Sequence, residues 1–558
     1  MTHGLSSNAP HRFRGLHSNL NHSSMYPAAS PVRRAFIQVS SALAIFSALG
    51  LPVQAETSGP ERFIQAVQSF ADVALEHGRD TYGPKQTPLF VDGINVETNE
   101  PVMWKSRDGH PWVLSDLSNQ QNFFRTLVGL SALTGEPRYK QAAVEATRYA
   151  LTHLMENGLL AWGGHMAYNA SEDVTFFAED KGRVHELKCH FPYYELMWEI
   201  DPAATKTLIE NIWNAHILDW TNLDFNRHGV PHPMGALWKS EYKNTPVFFD
   251  GKGLTFHNAG SDLFYAAAQL SKFTGDPEPM VWAKRLAHRY VETRDPKTGI
   301  GGYQFSQCRD SWCDDVGKIR GDRADYFFAA DFPGHHVVEG TLFPAYGSTP
   351  DVHPFVCQML LGEELGTSGR DFVQWTREEL AAWGKSAYRA KDNQFIPMLT
   401  DGTSMEGYVV KKDGYFGPQG RVLTAGKAGA NDFWTYALGW RLTDDAFLGE
   451  MVHSIRNANA FEKGSDPAAL LGFLELYRKT NDRAFLQSAE RVGDNIIAVG
   501  RFRKGWMKFD RVEPLALLQL AAALQGRTAL VPAYTGGAGF FAAAYASLGH
   551  KYDDFLYR

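Results

Sequence analysis

Apolar residues recur at spacings of three and four along most of the chain, which is the period of amphipathic helices. In four places two such patterns flank a short polar turn. Where the turn contains Gly, this residue permits a left-handed C-cap on the first helix. An Asp or Glu before the second pattern stabilises the N-terminus of the second helix. We therefore predict repeated helical hairpins. The four turns are Thr134–Pro137, Thr274–Pro277, Thr443–Asp445 and Thr480–Asp482.

Further helical patterns surround residues 375–388 and 515–524, whereas the strand candidates, 247–249 and 408–410, are short. Hairpins joined by loops of uneven length favour an all-α fold, an (α/α) toroid or barrel with short β additions. An open solenoid is the alternative, but the repeat period is irregular. No low-complexity linker divides residues 56–558, so we expect one catalytic domain there.

The first 55 residues have the composition of an export signal. They contain no Asp or Glu, and Arg33-Arg34 precedes Phe36 and an apolar run from Val39 to Leu51. This order is typical of a twin-arginine signal, with an ordinary secretory signal as the alternative. We expect cleavage near Ala55 and export to the periplasm.

Composition excludes several classes of function. The 558 residues are 44% hydrophobic and carry a net charge of −7, so no global basic field for nucleic acid exists. After the signal, no apolar run is long enough to span a membrane. We also expect the protein to be a monomer. In an oxidising compartment Cys308 and Cys313 could close a small disulfide loop.

Histidines cluster between residues 162 and 228, where His165, His185, His190 and His228 accompany Glu186. Imidazole nitrogens and a carboxylate form a mixed ligand set that suits Mn²⁺ or a similar divalent ion. Glu186 and His190 are four residues apart, which places them on one face if the segment is helical. The spacing does not match a zinc protease motif. The alternative is that His185 and His190 are capping or core histidines and that Glu186 is a solvated side chain.

Four pieces of the sequence resemble the polysaccharide lyase family 2 pectate lyases: His165, His185-Glu186, Arg227-His228 and Gly321–Ala324. The likeness spans essentially the whole chain after the signal. It implies a barrel of seven helical hairpins. It further implies that His165, Glu186 and His228 bind the metal, so that His190 is not a ligand. Mn²⁺ is the expected ion, with Ca²⁺, Mg²⁺, Co²⁺ and Ni²⁺ as alternatives.

The resemblance also implies the reaction, a metal-assisted β-elimination that cuts α-1,4 bonds of polygalacturonate and leaves 4,5-unsaturated oligogalacturonides. Arg227 is then the catalytic base, and Arg323 binds substrate, although Arg320 lies close enough to replace it. Guanidinium holds its proton up to about pH 12, so Arg227 must become transiently neutral. The alternative is that Arg227 clamps the substrate and that a metal-bound hydroxide is the base.

Other residues near the motifs are candidates for substrate binding. Lys181 and Arg183 could attract a uronate chain, or form an ordinary solvated face. Trp162 and Tyr168 bracket His165 and could stack on sugar rings, or belong to the core. We expect mainly internal cleavage, and slow turnover of methyl-esterified pectin.

Two other functions are compatible with the sequence. A toroidal glycoside hydrolase acting on uronates would use paired carboxylates and need no metal. Its candidate carboxylates include Asp224, Asp325 and Asp331. A non-catalytic periplasmic protein that binds oligogalacturonides is the second alternative.

Overall fold

The four predicted turns are built alike in the computed structural model. In each, the Thr hydroxyl that ends the first helix accepts a hydrogen bond, 3.2–3.3 Å long, from the backbone N–H two residues later. The residue between them is left-handed, with φ between 56° and 78°. Gly adopts this conformation at two turns, and Asp444 and Asn481 adopt it at the others, since short polar side chains tolerate it. The hairpin predictions are confirmed.

The structure describes residues 59–105, 110–161, 166–178, 185–187, 189–253, 255–308, 352–411, 419–500, 502, 505–533, 550–551 and 556–557. The α-helices in these residues are α1 Glu61–His77, α2 Gln121–Thr134, α3 Pro137–His153, α4 Tyr194–Ile200, α5 Pro202–His216, α6 His257–Thr274, α7 Glu278–Glu292, α8 Val352–Leu365, α9 Arg370–Ser386, α10 Ala430–Thr443, α11 Ala446–Asn457, α12 Pro467–Thr480, α13 Arg483–Val499 and α14 Glu513–Leu524. Short 3-10 helices are Leu117–Gln120, Leu237–Lys239, Gly366–Gly369, Phe461–Lys463 and Thr528–Leu530.

Within the described residues the helices pair into seven hairpins arranged as an (α/α) barrel. Each even-numbered helix from α2 to α12 packs against the odd-numbered helix that follows it, and α14 packs against α1. The even-numbered helices form the inner layer: α6, α8, α10, α12 and α14 pack in sequence, and α14 also packs on α2. This last contact closes the ring between the last and the first inner helix. The predicted toroid is confirmed.

Sequence explains which helix is inner and which is outer. The central turns of α6, α12 and α14 are buried on every side, because residues 513–523, for example, are almost wholly apolar. The outer helix α13 buries one stripe, Leu486, Ala489, Val492 and Ile496, and exposes polar residues elsewhere. A helix that is apolar all round belongs in a core, whereas an amphipathic one covers it.

Short strands lie between the helices. The strands in the described residues are β1 Gly93–Asn95, β2 Met103–Lys105, β3 Pro111–Ser115, β4 Met155–Glu156, β5 Leu159–Leu160, β6 Met166–Asn169, β7 Val174–Ala178, β8 His185–Glu186, β9 Ile217–Asp219, β10 Asp224–Phe225, β11 His228–Gly229, β12 Phe249–Gly251, β13 Ser306–Cys308, β14 Tyr388–Arg389, β15 Gln394–Phe395, β16 Gly426–Lys427, β17 Trp506–Lys508, β18 His550–Lys551 and β19 Leu556–Tyr557. Among these strands, a six-stranded sheet has the order β18-β2-β3-β6-β7-β19, a three-stranded sheet has the order β14-β15-β16, and the other strands form pairs. The predicted strand at 247–249 is displaced to β12, and at 408–410 an isolated bridge, Val409 to Val422, forms instead of a strand.

Some expectations fall outside the described residues. The export signal and its cleavage point lie within residues 1–58, so the division into a signal and one catalytic domain stays a prediction. Cys313 also lies outside them, and the disulfide with Cys308 stays a prediction. Of the helices in the described part of the chain, none combines the length and apolar character needed to cross a bilayer.

Candidate active site

Two very short strands bring distant parts of the sequence together. In the antiparallel pair β8–β11, Glu186 lies opposite His228, and His185 lies opposite Gly229. The pairing continues one residue further, where the backbone N–H of Leu187 donates to the carbonyl of Arg227 at 3.0 Å. This bridge places the predicted ligands Glu186 and His228 and the predicted base Arg227 in one site.

Glu186 is the buried centre of this group, with 0% of its surface exposed. Its Oε1 lies 3.4 Å from Nε2 of His228 and 3.7 Å from Nη2 of Arg227. Removing a carboxylate from water is costly unless positive charge or donors compensate for it. Glu186 and its two neighbours therefore form one electrostatic unit, in which a change to any member affects the others.

Arg227 lies at the edge of the site. Its side chain is 19% exposed, and its guanidinium carbon lies 5.9 Å from the centre of the Phe256 ring. Phe256 is the residue preceding α6, so the site lies at the N-terminal end of this inner helix. In the described part of the chain, Nε of Arg227 has no hydrogen-bond partner, although it is buried. One end of the guanidinium is thus held near Glu186 while part of the side chain reaches solvent.

A second pair of imidazoles lies behind the strands. Nδ1 of His185 is 2.8 Å from Nε2 of His216, the last residue of α5, and Nδ1 of His216 is 2.7 Å from the carbonyl of Asn226. Burial lowers the pKa of His216 to about 4 and holds the pKa of His185 well below its usual value. Both imidazoles are therefore neutral at pH 7.

The residues present fit a divalent cation. A buried carboxylate and an imidazole are hard and borderline donors that together suit Mn²⁺ and its neighbours. Two atoms each about 2.1 Å from one ion lie about 3.0–3.4 Å apart at tetrahedral or octahedral angles, which matches the Glu186–His228 separation. The described residues alone hold no group of three or more possible ligands. The third expected ligand, His165, lies outside them.

Of the predicted substrate contacts, Tyr168 lies in the described part of the chain. Tyr168, on β6, is described: it is 3% exposed and its hydroxyl donates to Oδ1 of Asp173 at 3.1 Å. This burial supports the alternative that Tyr168 is a core residue. The predicted residues that lie outside the described part of the chain are Trp162, Lys181, Arg183, Arg320 and Arg323.

The expectation that Glu186 and His190 share a helix face is wrong. Glu186 lies on a strand and His190 in the following loop, where Cys189 and Phe191 have positive φ values of 56° and 42°. Pairing with β11 fixes an extended backbone here, and spacing in the sequence carries no information about that long-range partner. His190 is buried, at 5% exposure, as the core-histidine alternative expects.

The position of Asp224 bears on the hydrolase alternative. Asp224, a candidate carboxylate for a hydrolase, accepts hydrogen bonds from the backbone N–H groups of Lys252 and Gly253, at 2.7 and 3.2 Å. Both of its oxygens therefore hold this loop in place.

His216 is a residue of the site that the sequence did not predict, because nothing in α5 distinguishes it from any other helix-terminal histidine. The glycine after His228 is the one local sign of a close neighbour.

Comparison with known proteins identifies the family. A model described as periplasmic pectate lyase matches residues 87–544. This chain belongs to that family. Pectate disaccharide-lyase from Dickeya dadantii (strain 3937) is 30% identical over 528 residues, which cover 89% of this chain and 96% of that protein. The chain is therefore a polysaccharide lyase of the pectate lyase type, as the sequence resemblance implied.

Solved structures with a similar course of the chain include two cellobiose 2-epimerases. The protein from Bacillus thermoamylovorans B4167 aligns over 84% of this chain and 100% of its own, with 10% identity and a TM-score of 0.41. The protein from Spirochaeta thermophila DSM 6192 aligns over 84% and 98%, with 13% identity and a TM-score of 0.36.

Proposed function

We propose that this pectate lyase cleaves α-1,4 galacturonosyl bonds of polygalacturonate by β-elimination, with Arg227 as the base and a divalent ion held by His165, Glu186 and His228. The observation that supports this proposal is the convergence of Glu186, His228 and Arg227 within 4 Å across the β8–β11 bridge. We expect Mn²⁺ to be the preferred ion. The products are 4,5-unsaturated oligogalacturonides.

The chemistry sets a clear requirement for the site. Removing the C5 proton of a galacturonate unit creates negative charge next to the ionised C6 carboxylate, which makes this carbon a weak acid. When bound, the ion supplies Lewis-acid stabilisation of that charge. The C5–H electron pair then forms the C4–C5 double bond as the C4–O bond breaks, and the leaving oxygen takes up a proton.

Residues of the chain provide positioning and proton transfer. Glu186 and His228 hold one side of the site, and the Glu186 carboxylate orients the Arg227 guanidinium from 3.7 Å. The exposed part of Arg227 can reach a substrate that enters from solvent. Guanidinium carries no free lone pair, so Arg227 must give up a proton transiently before it can accept the C5 proton. The C5 proton is transferred to Arg227.

The length of the product is a separate question. The Dickeya relative is named for disaccharide release. We propose that this chain also yields unsaturated disaccharides, in addition to the internal cleavage expected from its export. Chromatography of early products distinguishes the two modes: disaccharide accumulates from the start in the first, and a ladder of longer oligomers precedes it in the second.

The decisive experiment follows the ultraviolet absorbance of the unsaturated product from polygalacturonate. Chelation should abolish the increase in absorbance, and Mn²⁺ should restore it. Full activity in excess chelator would contradict the metal-assisted mechanism. A hydrolase would give no absorbance, and a binding protein would give no turnover with any ion.

Variants of Arg227 separate a base from a bystander. We expect Arg227→Ala to lower kcat by about 10³-fold or more, as loss of a general base typically does. Mn²⁺ binding should be retained or strengthened, because the variant keeps Glu186 and His228 and removes a positive charge beside Glu186. Arg285→Ala is the matched control, because this arginine packs on Tyr242 and Trp282, away from the site. If both variants lose kcat to the same extent, Arg227 is not the catalytic base.

A further inference from the structure

His216 links the two segments that carry the catalytic groups: in the described residues its side chain forms hydrogen bonds with the chain neighbours of Glu186 and Arg227. Its imidazole lies between His185, the neighbour of Glu186, and the carbonyl of Asn226, the neighbour of Arg227. It is fully buried at the C-terminal end of α5. This side chain therefore connects the outer helix α5 to β8 and to the segment that precedes β11.

The direction of the two hydrogen bonds follows from their partners. A backbone carbonyl only accepts, so Nδ1 of His216 must donate to Asn226. In a neutral imidazole the other nitrogen is then an acceptor, and Nδ1 of His185 must donate to it. His216 thus uses one donor and one acceptor at once. This combination fixes the rotation of its ring.

Backbone bonds on both sides transmit this position to the site. The N–H of Asn226 donates to the carbonyl of His216 at 3.0 Å, which doubles the connection between α5 and this segment. Oδ1 of Asn226 accepts from the N–H of His228 at 2.9 Å, which closes a turn around Arg227. The ends of the Arg227-His228 dipeptide are therefore fixed relative to His216.

Packing adds a steric constraint to the hydrogen bonds. A Cβ atom built on Gly229 would lie 2.5 Å from Nε2 of His216, so the ring lies directly against the backbone of β11. Gly229 faces His185 across the strand pair. The imidazole of His216 consequently fills the space behind both strands, and neither strand can move towards α5.

We infer that His216 is a positioning residue of the lyase reaction: through His185 and Asn226 it sets the distance between Glu186 on one strand and Arg227 and His228 on the other. Where it concerns the metal, this inference rests on the proposed function. Groups that hold metal ligands in place typically change affinity or activity by about 10–100-fold when removed. A loss of that size is expected here.

The test compares His216→Ala with Leu208→Ala, a buried residue two turns earlier on the same helix. Both variants lose core contacts and should have lower melting temperatures. His216→Ala should lower kcat on polygalacturonate by about 10–100-fold with KM changed less than about threefold. Its metal-free form should bind Mn²⁺ about 10–100-fold more weakly by calorimetry. Leu208→Ala should keep both values within about twofold, since it touches no site residue.

Two conservative variants keep the inference testable if the alanine variant does not fold. His216→Asn can still donate to Asn226, and His216→Gln can still accept from His185, so each retains one of the two bonds. Both should recover part of the lost kcat. Identical kcat for all three substitutions, or losses no larger than those of Leu208→Ala, would overturn the inference.

The outcome also distinguishes this inference from the proposed metal mechanism. If wild-type activity survives chelation, the metal mechanism fails, but a selective loss of kcat in His216→Ala still supports positioning of Arg227. If wild-type activity requires Mn²⁺ and His216→Ala keeps full kcat and full Mn²⁺ affinity, the positioning role fails alone.

Discussion

Substituting Gly229 by alanine gives a sharp perturbation of the site without changing any charge. The new Cβ would lie 2.5 Å from Nε2, 2.6 Å from Cδ2 and 2.8 Å from Cε1 of His216. Non-bonded carbon and nitrogen atoms are comfortable at about 3.5 Å, so a shift of roughly 1 Å is required. His216 is buried and hydrogen-bonded at both nitrogens, so the strand must move.

The size of the effect follows from this geometry. Overpacking of a buried site typically costs about 1–3 kcal/mol of stability. A displacement of about 1 Å between catalytic groups can lower activity about 10²-fold. Because Gly229 adjoins His228, moving β11 separates His228 from Glu186 directly. We therefore expect kcat to fall by about 30–100-fold in Gly229→Ala, with a moderate decrease in melting temperature.

The assay is the rate of unsaturated product formation from polygalacturonate at saturating Mn²⁺. Gly429→Ala is the matched control, since a Cβ there meets nothing within 4 Å, and it should keep activity within about twofold. In the double variant Gly229→Ala/His216→Ala the clash is removed, so its activity should be no lower than that of His216→Ala alone. If the activity losses of Gly229→Ala and His216→Ala instead add in the double variant, the two residues do not act through this contact.

Three further predictions concern the protein away from this contact. Tyr168→Leu should lower the melting temperature without raising KM, and a raised KM at unchanged stability would instead support sugar stacking. Methyl-esterified pectin should be cleaved at least about tenfold more slowly than polygalacturonate, because esterification removes the charge that the site binds; equal rates contradict this. Burial raises the pKa of Asp432 to about 7, above its unfolded value of about 3.9. The folded protein therefore binds the proton of the Asp432 carboxyl group more tightly than the unfolded chain does. The free energy of unfolding should consequently decrease as the pH rises from about 4 to about 7. Asp432→Asn should flatten that decline in melting temperature, and an unchanged slope would exclude Asp432 as its source.

The helical hairpins could be predicted from sequence because their determinants are local. The turn after Thr134 and the turn after Thr480 each need only a left-handed residue and an acidic residue before the next helix, all within four positions. The closure of the barrel is different: the contact of α14 with α1 and α2 joins the two ends of the described chain, and no local pattern specifies it.

The site was predictable only where a family resemblance supplied long-range information. Spacing favoured Glu186 with His190, whereas the strand pair places Glu186 opposite His228, 42 positions along the chain. His216 carried no signal, because a histidine ending an amphipathic helix is common and its partners come from two distant segments. Pairings of this kind depend on tertiary structure and leave only indirect traces, such as Gly229.

Crystals of the protein grown with Mn²⁺, with data collected at the manganese absorption edge, test whether one ion is bound beside Arg227. We expect one anomalous peak within bonding distance of a Glu186 carboxylate oxygen, Nε2 of His228 and a nitrogen of His165, next to Arg227. Manganese bound elsewhere, or no peak at this position at saturating Mn²⁺, would contradict it.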